Sequence, residues 1–441
     1  MAGPSDRRVW RLAFPVILSN LSVPLLGAVD TAVMGHLPDP AYIGGVAVGA
    51  LIFSYIYWGF GFLRMGTTGL VAQANGAKNA GEARAVFLRG LLLAGVIGAA
   101  VIALQGPIVL VALGLIDASA EVETLGRTYF SIRVWSAPAA LIQYVVIGWL
   151  FGVQRMGSAL AITVFANAIN IVLDLWFVLG LGWGIEGVAL ATLIAEWSAA
   201  LLGLTLVGRR VALGAAGGAR VFDAPRLLRM LRVNGDIFIR TLCLVTAFAW
   251  FTAEGARMGD VQLAANAVLL NFQTFMAYGL DGFAHAAEAL VGAAIGARDR
   301  DAFRDAVRTS TKWAALIAAG FALAYLAAGG ALIRTLTDIE TVRRSAAAFL
   351  PWAIASPLVS VWSFQLDGIF IGATRTAEMR NGMIVSLAGF LALTAILVPL
   401  WGNHGLWLSF LLFMALRAAT LALWMPRIAS GLPTARAQPI S

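Results

Sequence analysis

Long apolar stretches separated by short polar and basic segments run through the whole chain. A helix needs about 20 mostly apolar residues to cross a bilayer. On that measure the sequence predicts twelve spans, near 12–35, 43–74, 86–113, 129–152, 158–181, 186–208, 234–257, 262–296, 311–333, 346–372, 380–400 and 404–426. The second and eighth are long and glycine-rich, and are expected to bend or to extend beyond the bilayer. The first apolar run starts after basic residues but outlasts a cleavable signal, so it is read as the first span.

The chain also matches itself at an offset of 220 residues. "LVAQANGAKNAGEA" (70–83) meets "LVGAAIGARDRDAF" (290–303), "IGWLFGVQRMG" (147–157) meets "DGIFIGATRTA" (367–377), and "YIGGVAV" (42–48) meets "QLAANAV" (262–268). One register serving three separated stretches predicts a duplication. Each half holds an even number of spans, so both enter the membrane from the same side and the repeats are parallel, related by a pseudo-two-fold axis along the membrane normal. The expected architecture is an all-α integral membrane protein of twelve transmembrane helices in two six-helix lobes. Its boundaries fall at 1–208 for the amino-terminal lobe, 209–232 for a cytoplasmic linker, 233–430 for the carboxy-terminal lobe and 431–441 for a cytoplasmic tail.

Composition narrows the class. Of 441 residues, 60% are hydrophobic and 12% charged, and the mean hydropathy is +0.84. Soluble domains carry roughly a quarter charged residues, so the lipid bilayer is the expected surrounding. The net charge of +8 lies in short clusters between apolar segments, which excludes a nucleic-acid partner. Arginines cluster before the first span and after the second, fourth, sixth, eighth and tenth. The alternate loops are poorer in basic residues and carry Asp39, Asp117, Glu121, Glu186 and Asp338. By the positive-inside rule both termini face the cytoplasm. The single cysteine, Cys243, excludes an internal disulfide.

Charges inside spans are costly and mark function by default. Asp30 lies deep in the first span, downstream of Pro15 and Pro24, and proline bends a helix by removing a backbone hydrogen bond. In the fifth span Asn167, Asn170 and Asp174 share a face at i, i+3 and i+7, and Thr192 of the sixth span can join them. Two carboxylates with amide and hydroxyl neighbours make a cation or proton site, and close carboxylates share a proton. The bland alternative is a buried aspartate bonded to a neighbouring helix, or asparagines acting as helix–helix glue. Under the 220 offset Asp30 meets Trp250 and Asp174 meets Thr394, so the halves are specialised. The second half offers Asp281, His285 and Glu288 on one face, Asp367 in the tenth span, and Asp236 with Arg240 as an i, i+4 pair. Arg64 and Arg133 are candidates to neutralise some of these carboxylates. Trp176, Phe177, Phe275, Tyr278 and Met34 are candidates to line a path for flat or cationic substrates.

The residues also resemble a family. "RLAFPVILSNLSVPLLGAVDTAVMGHL", "LVAQANGA", "NAINIVLDLWFVLGLGWGIEGVALAT" and "FQLDGIFIGATRT" look like the multidrug and toxic compound extrusion (MATE) family, and the last of them with "LDGFAHAAEALVG" suggests its DinF-like branch. The resemblance implies a V-shaped pair of lobes and secondary-active export of organic, often cationic small molecules in exchange for protons or, less favoured, sodium. It implies that Asp30 binds the coupling ion and controls bending at Pro15, and that Asn170, Asp174 and Thr192 form the amino-lobe cluster. The seventh span lacks a clear mid-span glutamate, which weakens a carboxy-lobe sodium site at Asp367. A monomer in a bacterial-type plasma (inner) membrane is expected, with no cofactor beyond the coupling ion and no metal site.

Rival readings remain. A lipid-linked oligosaccharide flippase shares the larger superfamily, and fold does not fix substrate. A major-facilitator transporter also has two parallel six-span halves, but "NGAKNAGEAR" is unlike its basic turn. "GWGIEG" (182–187) is a formal G-x-G-x-x-G with no strand before it. The chain contains no G-x-x-x-x-G-K-[ST], H-E-x-x-H or G-x-S-x-G, so an integral membrane enzyme lacks visible chemistry, and a passive channel suits the unequal halves poorly.

Overall fold

A computed structural model describes residues 3–34, 41–116, 119–213 and 221–433. Helix α1 covers Pro4–Met34; α2 (Ala41–Gly59) and α3 (Phe62–Gly76) are parted at Phe60 and Gly61; α4 (Ala80–Ala103) and α5 (Gln105–Ile116) are parted at Leu104. α6 (Ala120–Arg133) passes through a 3-10 turn, Val134–Ser136, into α7 (Ala137–Gly152), whose start carries Pro138. α8 (Met156–Asp174) continues as a π-helical segment, Leu175–Gly180, before α9 (Ile185–Leu213). Then come α10 (Ala224–Arg257), α11 (Asp260–Gly296), α12 (Arg300–Leu336), α13 (Glu340–Gly372), α14 (Thr376–Trp401), α15 (Asn403–Ala422) and α16 (Met425–Ser430). No strand occurs among the described residues.

Each expected span has its helix or broken helix. Among the described residues ten of these are long and apolar enough to cross a membrane. The long second span does break, between α2 and α3. The long eighth does not: α11 runs unbroken for 37 residues, about 55 Å at 1.5 Å per residue, well beyond a 30 Å hydrocarbon core.

The chain forms two compact units, Leu18–Leu231 and Met1–Ile17 with Arg232–Ser441. The sequence reading began the amino lobe at residue 1, whereas the first turns of α1 pack with the carboxy-terminal unit. Contacts of three residues explain this. Trp10 meets Phe283 and Trp313 edge-on at 5.2 Å. The Ala13 carbonyl passes so close to Gly282 that a methyl group there would collide. Asp6 accepts hydrogen bonds from Lys312 Nζ at 2.6 Å and Trp313 Nε1 at 2.8 Å.

The Lys312 and Trp313 donors, with the Gly3 amide, hold the Asp6 carboxyl down at about 2. A lowered folded-state value stabilises the fold above the unfolded value near 4 and loses that contribution as pH falls towards 2. Thermal unfolding between pH 5 and pH 2.5 should therefore lose a small increment in the wild type that Asp6→Asn does not show.

The duplication is written into the backbone. Among the described residues four non-glycine residues have positive φ: Lys78 (53°), Gln154 (60°), Arg298 (56°) and Thr374 (52°). They form two pairs, each 220 residues apart, at the turns after α3 and α11 and after α7 and α13. The next helix is capped alike: Asn79 accepts from the Glu82 amide, and Asp299 from the Asp301 and Ala302 amides. Helix crossings repeat as well. Gly148 lies against the Arg64 carbonyl and Gly368 against the Ala284 carbonyl, again 220 apart. Gly148→Ala should cost about 1–3 kcal/mol through overpacking against backbone that cannot yield, whereas Gly157→Ala, which meets open space, should be neutral in the same unfolding measurement.

Candidate functional site

α8 presents the expected polar face to its unit. Asn170 and Asp174 are buried, Asp174 completely. The Asn170 side-chain nitrogen donates to Thr192 Oγ1 of α9 at 3.3 Å, and that hydroxyl donates to the Val188 carbonyl at 3.0 Å. The Asn170 side-chain oxygen is buried with no hydrogen-bond partner among the described residues. One turn earlier Asn167 donates to Ser22 Oγ of α1 at 3.0 Å, so it joins helices. The α-helix becomes π-helical immediately after Asp174. Such segments are rare and cluster at functional sites. The result is a buried carboxylate one turn along the helix face from an amide that is hydrogen-bonded to a hydroxyl.

Asp30 sits on α1 beside Val29 and Val33, which pack against the core of the same unit with Phe53, Phe130 and Val178. The side chains of Asp30 and Met34 lie outside the described residues. α1 stays helical through Pro15, half-buried, and Pro24, exposed. Of the aromatic candidates, Phe177 is buried and stacked on Trp183 at 5.0 Å, so it serves packing. Trp176 and Phe275 are exposed and Tyr278 is half-buried.

A second polar centre in this unit escaped the sequence reading. Glu196 of α9 pairs with Arg133 at 3.1 Å. Arg133 also donates to the Tyr129 hydroxyl at 3.0 Å and lies 4.8 Å over the Phe53 ring. Gln143 donates to the Glu196 carbonyl at 2.8 Å. The signal was present, a lone glutamate in the middle of the sixth predicted span, and Arg133 pairs with this residue rather than with one of the carboxylates named from the sequence. Arg64 lies 5.7 Å over the Phe151 ring.

In the carboxy-terminal unit the expected Asp236–Arg240 pair does not form. Asp236 takes Arg380 at 2.6 Å and the Thr376 hydroxyl at 2.9 Å, both on α14. Arg240 reaches across to Asp367 of α13, and Arg417 of α15 binds the same carboxylate oxygen at 2.7 Å. Spacing on one helix allows a pair, but partners on packed neighbours hold these charges more fully. Asp281 is half-buried. Glu288 is fully buried and contacts His285 Nδ1 at 3.1 Å. The carboxylate of Asp367 is thus balanced by two buried guanidinium groups, which makes it a poor ligand for sodium.

Comparison with known proteins places this arrangement. The MatE family model matches residues 15–176 and again 237–400, once in each half. The chain is 46% identical to DNA damage-inducible protein F of Escherichia coli strain K12, over 95% of this chain and 91% of that protein. It is 26% identical to multidrug resistance protein MdtK of Edwardsiella ictaluri, over 96% of each. Its fold superposes on a crystal structure of MATE in the bent conformation with a TM-score of 0.86 at 20% identity, covering 97% of this chain and 96% of that one. The chain belongs to the MatE family, whose members are multi-span membrane transporters and not enzymes.

Proposed function

We propose that this protein is a proton-coupled antiporter that exports organic, often cationic, compounds across a bacterial inner membrane, with both termini in the cytoplasm and one chain as the working unit. Protonation of Asp30, with Asp174 beside it, drives bending of α1 at Pro15 and Pro24 and shrinks the cavity of the amino-terminal half, which expels substrate. One observation carries the reading. In the second half the counterparts of Asp30 and Asp174 are Trp250 and Thr394, and Trp250 Nε1 donates to Thr394 Oγ1 at 3.1 Å. A duplicated backbone that brings those two positions into hydrogen-bond contact supports a shared site for the two aspartates. The paired state of Asp367 favours protons over sodium, and the multidrug-resistance name of a relative that matches over 96% of its length supports the substrate class.

The test is efflux of a fluorescent cationic dye from sealed vesicles of the purified protein under an imposed proton gradient without sodium. Efflux is expected. Efflux under a sodium gradient alone would replace the proton by sodium, and none under either gradient would turn the reading towards a flippase.

A further inference from the structure

A cavity of about 330 Å³ opens at the end of the amino-terminal half where α3 turns into α4. Its wall carries three cations, Lys78, Arg84 and Arg210, and no acid. No carboxylate pairs with any of the three among the described residues. Glu82, two residues before Arg84, has both oxygens engaged, one by Arg89 and one by Arg226. Trp149 is 7% exposed, lines the cavity, and its indole Nε1 is buried without a hydrogen-bond partner; the Nε of Arg84 is buried and unpartnered as well. A buried donor without an acceptor is costly, and here two stand in one wall. The ring of Trp149 is fixed edge-on to Phe87 at 6.2 Å, so its N–H is preset. The start of α4 at the same wall adds the partial positive charge of a helix N-terminus.

The second half supplies an internal contrast. Lys78 and Arg84 have basic counterparts there, Arg298 and Arg304, but Trp149 is replaced by Ile369 and Ala83 by Phe303, both buried. The indole donor has no counterpart in the second half, and Phe303 puts a ring where Ala83 leaves a methyl, so the site is not a by-product of the repeat or of charge at membrane ends.

We propose that this cavity binds a phosphate group, through Lys78, Arg84 and Arg210 as charge partners and the indole N–H of Trp149 as a fixed donor. Phosphate oxygens match this set because each accepts several hydrogen bonds and carries the opposite charge. The group can arrive on a membrane phospholipid, whose glycerol would meet Val153 and Val211, or as a soluble phosphate. The proposal does not rest on the efflux reading.

The test is a thermal-shift titration of purified full-length protein in detergent with dioctanoyl phosphatidylglycerol, inorganic phosphate and dioctanoylglycerol, which lacks the phosphate. Saturable stabilisation by a phosphate-bearing probe and none by dioctanoylglycerol is expected. Stabilisation by the phospholipid alone assigns a membrane source, and stabilisation by inorganic phosphate as well assigns the phosphate group itself as sufficient. Trp149→Phe, which keeps the ring, and the pair Lys78→Gln with Arg84→Gln should each weaken binding about tenfold or more, the loss of one charge-assisted or buried hydrogen bond. Ala83→Phe, which copies the second half, should abolish it. No saturable shift with either phosphate-bearing probe, equal stabilisation by dioctanoylglycerol, or binding unchanged in Trp149→Phe and in the double variant would overturn the proposal.

Discussion

Asp174→Asn is expected to reduce proton-driven dye efflux to the level of protein-free vesicles while the protein remains folded. Asparagine keeps the size of the side chain and one acceptor oxygen, and removes only the group that can gain and lose a proton. Asp174 is completely buried at the end of α8, where the helix changes type, one turn along from an amide oxygen with no partner among the described residues. A neutral amide there is easier to bury than a charge, so thermal stability should hold or rise. Asp30→Asn should behave in the same way. Thr394→Val, which breaks the matching contact in the second half, should cost stability without removing the response to a proton gradient. If Asp174→Asn and Asp30→Asn both still pump with an imposed proton gradient, the coupling role assigned to these residues is wrong.

Asp367→Ala should destabilise the carboxy-terminal unit by about 3–5 kcal/mol, because it leaves two buried guanidinium groups without a counter-charge. Arg240 is 7% exposed and Arg417 is 3% exposed, so neither reaches solvent to recover hydration. The combined change Arg240→Met, Asp367→Leu and Arg417→Met removes all three charges together and should restore most of that loss, since apolar groups of similar volume commonly replace a buried ionic cluster at little cost. Unfolding of the purified variants in detergent distinguishes the two cases. Wild-type stability in Asp367→Ala would mean that the ionic cluster carries no structural weight.

Hydropathy located the spans because burial in lipid is a property of composition over some twenty residues, which a sequence displays directly. Length and glycine content pointed to the break at Phe60–Gly61, but nothing showed the one at Leu104 or the π-helical segment after Asp174, because these are backbone events within stretches of uniform apolarity. The 220-residue register was legible through Gly148, Gly152, Gly368 and Gly372, and the structure gives the reason: helices touch backbone to backbone at these places. The pairing of charges was legible only in part. Helical spacing put Asp236 beside Arg240, yet each found a partner on another helix, which no local spacing can foresee. Glu196 and Arg417 each stood alone in an apolar span and were passed over. Lone charges in such a setting are those that need a distant partner.

The hydrogen bond from Trp250 to Thr394 bears on the electrical bookkeeping of a transport cycle. An indole and a hydroxyl take up no proton across the physiological range, so this place contributes no charge movement whichever way the protein faces. A chain built from two copies of one unit thus has an electrically silent copy at the position where the other carries two carboxylates. On the proposed coupling through Asp30 and Asp174, this position of the second half would exchange no proton, and doubling of the fold would not double the protons exchanged there.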